Sequence, residues 1–284
     1  MFPLNFGKII HKNNMIGVIT VNYNQYQLTR EFLESLATVK NAKDLSVYIA
    51  DVSSKKEVFK IDKDYPMKVV IKSLPNNGYA YGINEGTKYF IDQGLDKFCA
   101  INNDIFFDRN FSLQAHSGFE KADIFGGKIY YAPGFEYHKK YQKQYIGKIL
   151  WYAGGIVDWK NVYISHRGVD EVDNKQFEKL EETDFITGCM LFFSKKVVDQ
   201  IGFWDKKYFL YFEDFDFCER AKIARFKLFY NPKIIIWHKN AQSTGGSGSL
   251  LHQKYQRKNR LIFGLKYAPF RTKLNLIKNY LMQR

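Results

Sequence analysis

Ile16-Gly17-Val18-Ile19-Thr20-Val21-Asn22-Tyr23-Asn24 is the stretch that decides the architecture of this chain. Its first seven residues are rich in β-branched types and end at turn-forming Asn, which reads as a buried strand. Asn24, with Gln27 three residues on, is the expected cap of a helix in which Leu28, Phe32, Leu33 and Leu36 recur at helical spacing. Working outward, residues 45–50, 67–71 and 97–101 read as further strands and 79–90 as a second helix. Strand and helix alternate, so the expected class is α/β with a mostly parallel sheet. Polar residues follow the strands at 22–24, 51–54, 76–78 and 102–104, on the carboxyl edge where open α/β sheets bind ligands.

The second half is less regular, with short strands expected around 151–157, 186–193 and 234–237 and helices near 194–201 and 213–224. No Pro/Gly/Ser linker separates the halves, so residues 1–242 are expected to form one fused domain, with halves at about 15–127 and 128–242. Residues 243–284 follow it as a flexible loop, Ser243-Thr244-Gly245-Gly246-Ser247-Gly248-Ser249, and basic amphipathic helices. The loop's glycines and its nearness to His238 suggest closure over a ligand.

The 284 residues are 45% hydrophobic, enough for a substantial core, and no interval repeats as in a solenoid. No apolar run is long enough to span a bilayer. Lys8, His11 and Lys12 interrupt the N-terminal segment, a poor secretory signal, so a cytoplasmic location is expected. Cys99, Cys189 and Cys218 are widely spaced and odd in number, which argues for buried thiols rather than disulfides or structural zinc.

The net charge of +14 points to an anionic partner. Residues 251–284 hold nine Lys or Arg and no acidic residue, interleaved with apolar side chains such as Leu261, Ile262, Phe263, Leu274 and Leu281. That mixture suits helices lying on an anionic membrane surface. An ordinary basic surface and a single-stranded nucleic-acid site carry the same composition.

Several residues invite chemistry. Asp51 offers acceptor oxygens to a ribose hydroxyl or a pyrimidine imide N–H, or is simply a turn aspartate. Gly78, Gly82 and Gly86, with Asn76 and Asn84, surround a helix start suited to phosphate, although their spacing of four is not that of a dinucleotide fingerprint. Glu213, Asp214 and Asp216 lie among Tyr208, Phe209, Tyr211, Phe212, Phe215 and Phe217, apolar neighbours that raise carboxylate pKa values toward those of a general base. The same charges also favour a helix N-terminus, and Asp216 can pair with Arg220.

Taken together, residues 18–24, Asp51, 76–86 and Ile101-Asn102-Asn103-Asp104 resemble the nucleotide-sugar half of inverting family-two glycosyltransferases. Thr187-Gly188, Gly202-Phe203-Trp204-Asp205, 211–220 and Trp237-His238 resemble that family's acceptor half, in particular its rhamnosyltransferase-like branch. The resemblance covers about residues 15–265 and implies a GT-A fold. It implies donor contacts at Thr20, Asn22, Asp51, Asn76, Gly78, Asn84, Asn102, Asn103 and Arg257. The last belongs to a Tyr-x-Arg-x-Asn-Arg pattern at 255–260 that carries arginine toward a diphosphate. Acceptor-orienting roles fall on Glu213, Trp204 and Gly188, with Trp151 a further sugar contact, and the general base on Asp214. Asp104 and His238 are the implied ligands of Mg²⁺ or Mn²⁺. Asn102-Asn103-Asp104 departs from the family's Asp-x-Asp by an Asn at its first position, which leaves Asp104 its only charge.

The expected function is therefore inverting, metal-dependent transfer of a hexosyl or deoxyhexosyl group, such as rhamnosyl. The donor is a UDP- or dTDP-sugar and the acceptor a glycan hydroxyl, on a lipid-linked intermediate at the inner face of the cell membrane. Nucleic acid is not expected as a partner. The competing reading is a non-catalytic nucleotide-sugar or nucleic-acid binder on the same fold.

Overall fold

The computed structural model describes residues 14–55, 64–136, 138–240 and 249–282. The first half runs β1 (Ile16–Asn22), α1 (Tyr26–Ala37), β2 (Leu45–Asp51), β3 (Lys68–Ser73), α2 (Tyr79–Asp92), β4 (Lys97–Ile101), β5 (Ile105–Phe107), α3 (Phe111–Phe119) and β6 (Ile124–Tyr131). Next come β7 (Leu150–Tyr152), β8 (Gly155–Asp158), β9 (Tyr163–His166), β10 (Glu181–Glu182), β11 (Met190–Ser194), α4 (Lys195–Ile201), α5 (Glu213–Ile223) and β12 (Phe229–His238), then α6 (Leu250–Tyr267) and α7 (Phe270–Met282).

The main sheet has the order β10-β12-β6-β11-β4-β1-β2-β3, with β5 on β12 and β7 on β6. β1 to β4 are mutually parallel where they pair, whereas β11 runs antiparallel between β4 and β6. The expected α/β class and GT-A architecture are what the chain adopts. β1 and β2 are buried along nearly their whole length because helices cover both sheet faces.

α2 lies unusually close to the sheet. A Cβ on Gly82 would stand 2.7 Å from a Val21 methyl, and one on Gly86 would stand 2.4 Å from Ile19. These two glycines therefore serve helix–sheet packing, and only Gly78 remains at the ligand edge. Asn24 does not cap α1, which begins at Tyr26 behind Gln25. Asn24 instead has φ 54° and donates its backbone N–H to Ser53 Oγ at 2.8 Å, tying the ends of β1 and β2 together. The strand expected over 151–157 is split at Gly154, whose φ is 110°, so β7 joins the main sheet and β8 pairs with β9.

The C-terminal helices are packed against the body. Val162, Tyr208, Phe212, Phe263, Ala268 and Leu276 form a second buried cluster, with Phe263 stacked on Trp159. Most of the glycine-rich loop expected to be flexible, 243–249, lies outside the described residues. The three cysteines are free and buried.

Candidate active site

The carboxyl ends of β1 and β4, the turn before α2 and the start of α5 surround a cleft of about 500 Å³. Asn76, Gly78, Asn102, Asn103 and Asp104 line it together with Gly188, Glu213, Asp214 and His238. These nine sequence-derived candidates come from segments more than 100 residues apart and meet in one cavity.

Beneath the cleft lies a web of hydrogen bonds. Asn22 Nδ2 donates to Asp51 Oδ1 at 3.0 Å and to Ser53 Oγ at 3.1 Å, while Thr29 Oγ1 donates to Asn22 Oδ1 at 3.1 Å. Asn103 Nδ2 donates to Thr29 Oγ1 at 2.8 Å, and Tyr26 OH donates to Asp51 Oδ2 at 3.1 Å. Asn22 and Asp51 are thus part of the frame holding Tyr23, Val52 and Asn103 at the cleft wall, rather than part of the lining itself. Thr20 is fully buried under this web and does not reach the cleft.

Three other candidates are placed elsewhere. Asn84 is spent on the backbone of Trp204, donating to its carbonyl at 2.9 Å and accepting from its N–H at 3.0 Å. Trp204 is buried and stacked on Phe217 at 5.1 Å, a core anchor instead of an acceptor platform. Arg257 points to α7, where it donates to the Tyr280 carbonyl at 3.0 Å and lies over that ring, so its side chain is directed away from the cleft. The helical spacing that puts Gln256 at the cleft turns Arg257 outward.

Asp214 sits at the N-terminal end of α5, with Oδ2 accepting from Gly188 N–H at 2.7 Å and Oδ1 from Phe215 N–H at 2.9 Å. Burial raises its pKa to about 6, against these hydrogen bonds, which lower it. Burial and then the Asp214 charge push Glu213 well above the ordinary carboxylate range. Asp216 faces away, paired with Arg220 and Lys266 at 2.7 Å each and bonded by Tyr267 OH at 2.8 Å. Tyr211 and Phe212, just before the pair, have φ of 67° and 73°. Left-handed backbone at such residues costs on the order of 1–3 kcal/mol each.

Elsewhere in the cleft, Asp104 Oδ1 and His238 Nε2 are 3.1 Å apart. They meet because β12 pairs with β5, placing His238 opposite Ile105. Two cis ligands of one octahedral Mg²⁺, each at roughly 2.1 Å, are separated by about 3 Å, so the pair fits a shared cation. Among the described residues no third His, Cys, Asp or Glu joins the pair in a metal cluster, so these two side chains are the ones that would hold a cation. Burial opposes charge on His238, but Cys189 and Asp104 outweigh it and raise its pKa to about 10. A bound cation would replace that proton.

Further residues complete the cleft, among them Trp151, expected from the sequence as a sugar contact. Tyr79 OH donates to the Gly188 carbonyl at 2.9 Å, bridging the donor-side turn to the base side. Trp151 stands edge-on to His166 at 4.3 Å and to His238 at 4.6 Å, packed beside the Asp104–His238 pair. Burial lowers His166 to about 4, so it is neutral. Leu251, His252 and Gln256 of α6 close the cleft's outer side. Tyr79, His166 and these α6 residues have no spacing signature; only the pairing of distant segments reveals them.

Among solved structures, the chain resembles GalNAc-T7, crystallised with UDP, GalNAc and Mn²⁺, at a TM-score of 0.62 and 14% identity, covering 90% of this chain and 48% of that one. It also resembles S. aureus TarS at a TM-score of 0.52 and 12% identity, covering 94% of this chain and 43% of that one. The chain thus spans about half the length or less of these two proteins, and at such identities the likeness is one of fold. No curated protein sequence matches it. The model of the family described as Glycosyltransferase like family 2 matches residues 13–264. With that match spanning most of the sequence, and with the fold and cleft described above, the chain belongs to glycosyltransferase-like family 2.

Proposed function

We propose that this protein transfers a hexosyl or deoxyhexosyl unit from a UDP- or dTDP-sugar to a glycan hydroxyl, with inversion at the anomeric carbon. The observation carrying this reading is that one cleft holds both a buried carboxylate with a pKa of about 6, Asp214, and a cation-suited pair, Asp104 and His238. A base near neutral pH is matched to taking a proton from a sugar hydroxyl as it attacks. UDP and Mn²⁺ in the GalNAc-T7 structure are in keeping with a nucleoside-diphosphate donor and a divalent cation.

Asp104 and His238 would hold Mg²⁺ or Mn²⁺, which when bound supplies positive charge to the departing diphosphate. Asn76, Gly78, Asn102 and Asn103 bind the donor from the strand ends. Asp214 accepts the acceptor hydroxyl proton while the new oxygen–carbon bond forms and the bond from the anomeric carbon to the phosphate oxygen breaks on the opposite face. Glu213 beside it orients the acceptor through its carboxyl group. Gly188 N–H holds the proton-accepting carboxylate in place through Oδ2.

The acceptor is lipid-linked in this reading, and the enzyme sits on the cytoplasmic face of the cell membrane. Support comes from α6 and α7, where Leu251, Phe270, Leu274, Ile277, Leu281 and Met282 are exposed beside the basic residues of 251–284. Among the described residues no helix is long and apolar enough to cross a membrane, which fits a surface contact.

Thermal-shift binding of UDP, dTDP and GDP and their sugar conjugates, each with Mn²⁺, Mg²⁺ or EDTA, identifies the donor. Hydrolysis and transfer are then assayed with it, and Asp214→Asn is expected to lose about 10²–10⁴-fold in rate. A folded Asp214→Asn protein with wild-type turnover would refute the mechanism.

A further inference from the structure

We propose that Asn259 of α6 is a positioning residue for the Glu213–Asp214 pair, so that the basic C-terminal segment is a working part of the catalytic centre. The proposal rests on the reading of Asp214 as the base.

Tyr211 and Phe212 hold left-handed backbone immediately ahead of Glu213, with φ of 67° and 73°, and neither is a residue type that adopts it readily. Such a conformation persists only where its surroundings over-determine it. Asn259, buried to 1% exposure, donates from Nδ2 to the Leu210 and Tyr211 carbonyls, both at 2.9 Å. From the other side, Tyr79 N–H donates to the Phe209 carbonyl at 2.9 Å. The turn bearing the base is therefore gripped between the donor-side loop and α6.

α6 is itself anchored on both sides of Asn259. Arg260 donates from Nε to the Val162 carbonyl at 3.2 Å, and Lys266 and Tyr267 bind Asp216 of α5 at 2.7 and 2.8 Å. Phe263 is fully buried against Trp159. Asp104 and His238 are carried by other elements, so loosening this grip disturbs the base and spares the cation side. That asymmetry separates positioning from general stability.

The test uses the full chain with Asn259→Ala and the milder Asn259→Ser, which keeps one donor. Three quantities are read. They are amide hydrogen exchange at Gly188 and Phe215, whose N–H groups bind Asp214, turnover in hydrolysis of the UDP- or dTDP-sugar that the wild type accepts, and UDP affinity with Mn²⁺. For Asn259→Ala, exchange at both amides is expected to rise at least about 10-fold, as the two bonds open more often. Turnover is expected to fall about 10–100-fold as the base is misplaced, with UDP affinity changed less than about 2-fold. Asn259→Ser falls between, and carries the test by itself if the alanine variant does not fold. In a Tyr211→Gly background, where the left-handed backbone costs little, Asn259→Ala is expected to lose less turnover than in the wild type. Unchanged exchange, additive losses in the double variant, or equal losses of turnover and UDP affinity would overturn the proposal. If the wild type neither hydrolyses nor transfers from any sugar nucleotide, the transferase reading falls, and the exchange data alone judge the grip of Asn259.

Discussion

Gly188 donates its backbone N–H to Asp214 Oδ2 at 2.7 Å, and the absence of a side chain at Gly188 is what lets the carboxylate lie there. A Cβ at this position would stand 3.3 Å from Asp214 Cβ and 3.4 Å from Oδ2. One glycine before β11 thereby fixes the direction of the carboxylate at the head of α5, and its N–H partly offsets the rise in pKa that burial causes.

Gly188→Ala is expected to displace the Asp214 carboxylate by a few tenths of an ångström. Turnover should fall about 10-fold, with little change in donor KM, because the base and not the donor side moves. Steady-state kinetics against donor concentration check this, and a loss expressed wholly in KM would place Gly188 on the donor side.

Asp214 must be ionised to accept a proton, so turnover should fall on the acid side with a midpoint near its pKa of about 6. The effect on stability has the opposite sense. With a folded-state pKa above the ordinary aspartate value of 3.8, Asp214 binds its proton more tightly in the folded chain, and ionisation above pH 6 opposes folding. This contribution is complete below about pH 4 and lost as pH rises through 6. Asp214→Asn should therefore flatten the fall of Tm between pH 5 and pH 8; an identical pH slope would contradict the raised pKa.

His238→Ala and Asp104→Asn each remove one of the two side chains suited to a cation. Each is expected to weaken Mn²⁺ binding in the presence of UDP by at least about 10-fold. Calorimetric titration of Mn²⁺ into the UDP complex measures it. Wild-type affinity in both variants would assign the metal to other groups.

Gly78 has φ 92°, and a Cβ there would stand 2.3 Å from the Phe209 carbonyl oxygen. Gly78→Ala combines backbone strain with a clash against the turn that carries the base, at a cost of about 2–4 kcal/mol. Urea unfolding should show the reduced midpoint, and UDP affinity should fall with it because Asn76 and Gly78 line the donor side.

The C-terminal helices share a buried cluster with the body through Phe263 and Leu276, so deleting residues 251–284 would damage the fold and say nothing about a membrane. Phe270→Ser with Leu281→Ser changes only side chains that are 74% and 61% exposed. That double variant should keep its Tm and sediment less with vesicles containing anionic phosphatidylserine. Equal sedimentation would remove the apolar face of α7 as an anchor.

The order of strands and helices through residue 101, the polar strand ends and the carboxylate pair at 213–214 were all legible in the sequence. Each is a local signal: periodicity, β-branching, and a few residue types at fixed short spacing. The pairing of Asp216 with Arg220 was legible for the same reason, being one helical turn. Which of the polar residues face the cleft was not. Thr20, Asn22, Asp51 and Asn84 lie on the right segments, yet the structure spends their side chains inside the frame or buries them under it, because neighbouring strands and the Trp204 backbone compete for the same hydrogen bonds. Trp204 and Arg257 are turned away by core packing and by helical phase. Gly82 and Gly86 looked like a phosphate loop and turned out to set the distance between α2 and the sheet. The roles of Gly188 and Asn259 exist only because chain segments 26 and about 48 residues apart are brought within hydrogen-bonding distance. Sequence alone determined the class of fold and the chemical groups at hand; tertiary structure decided which of them meet, since a site is made by contacts between segments whose separation along the chain carries no periodic trace.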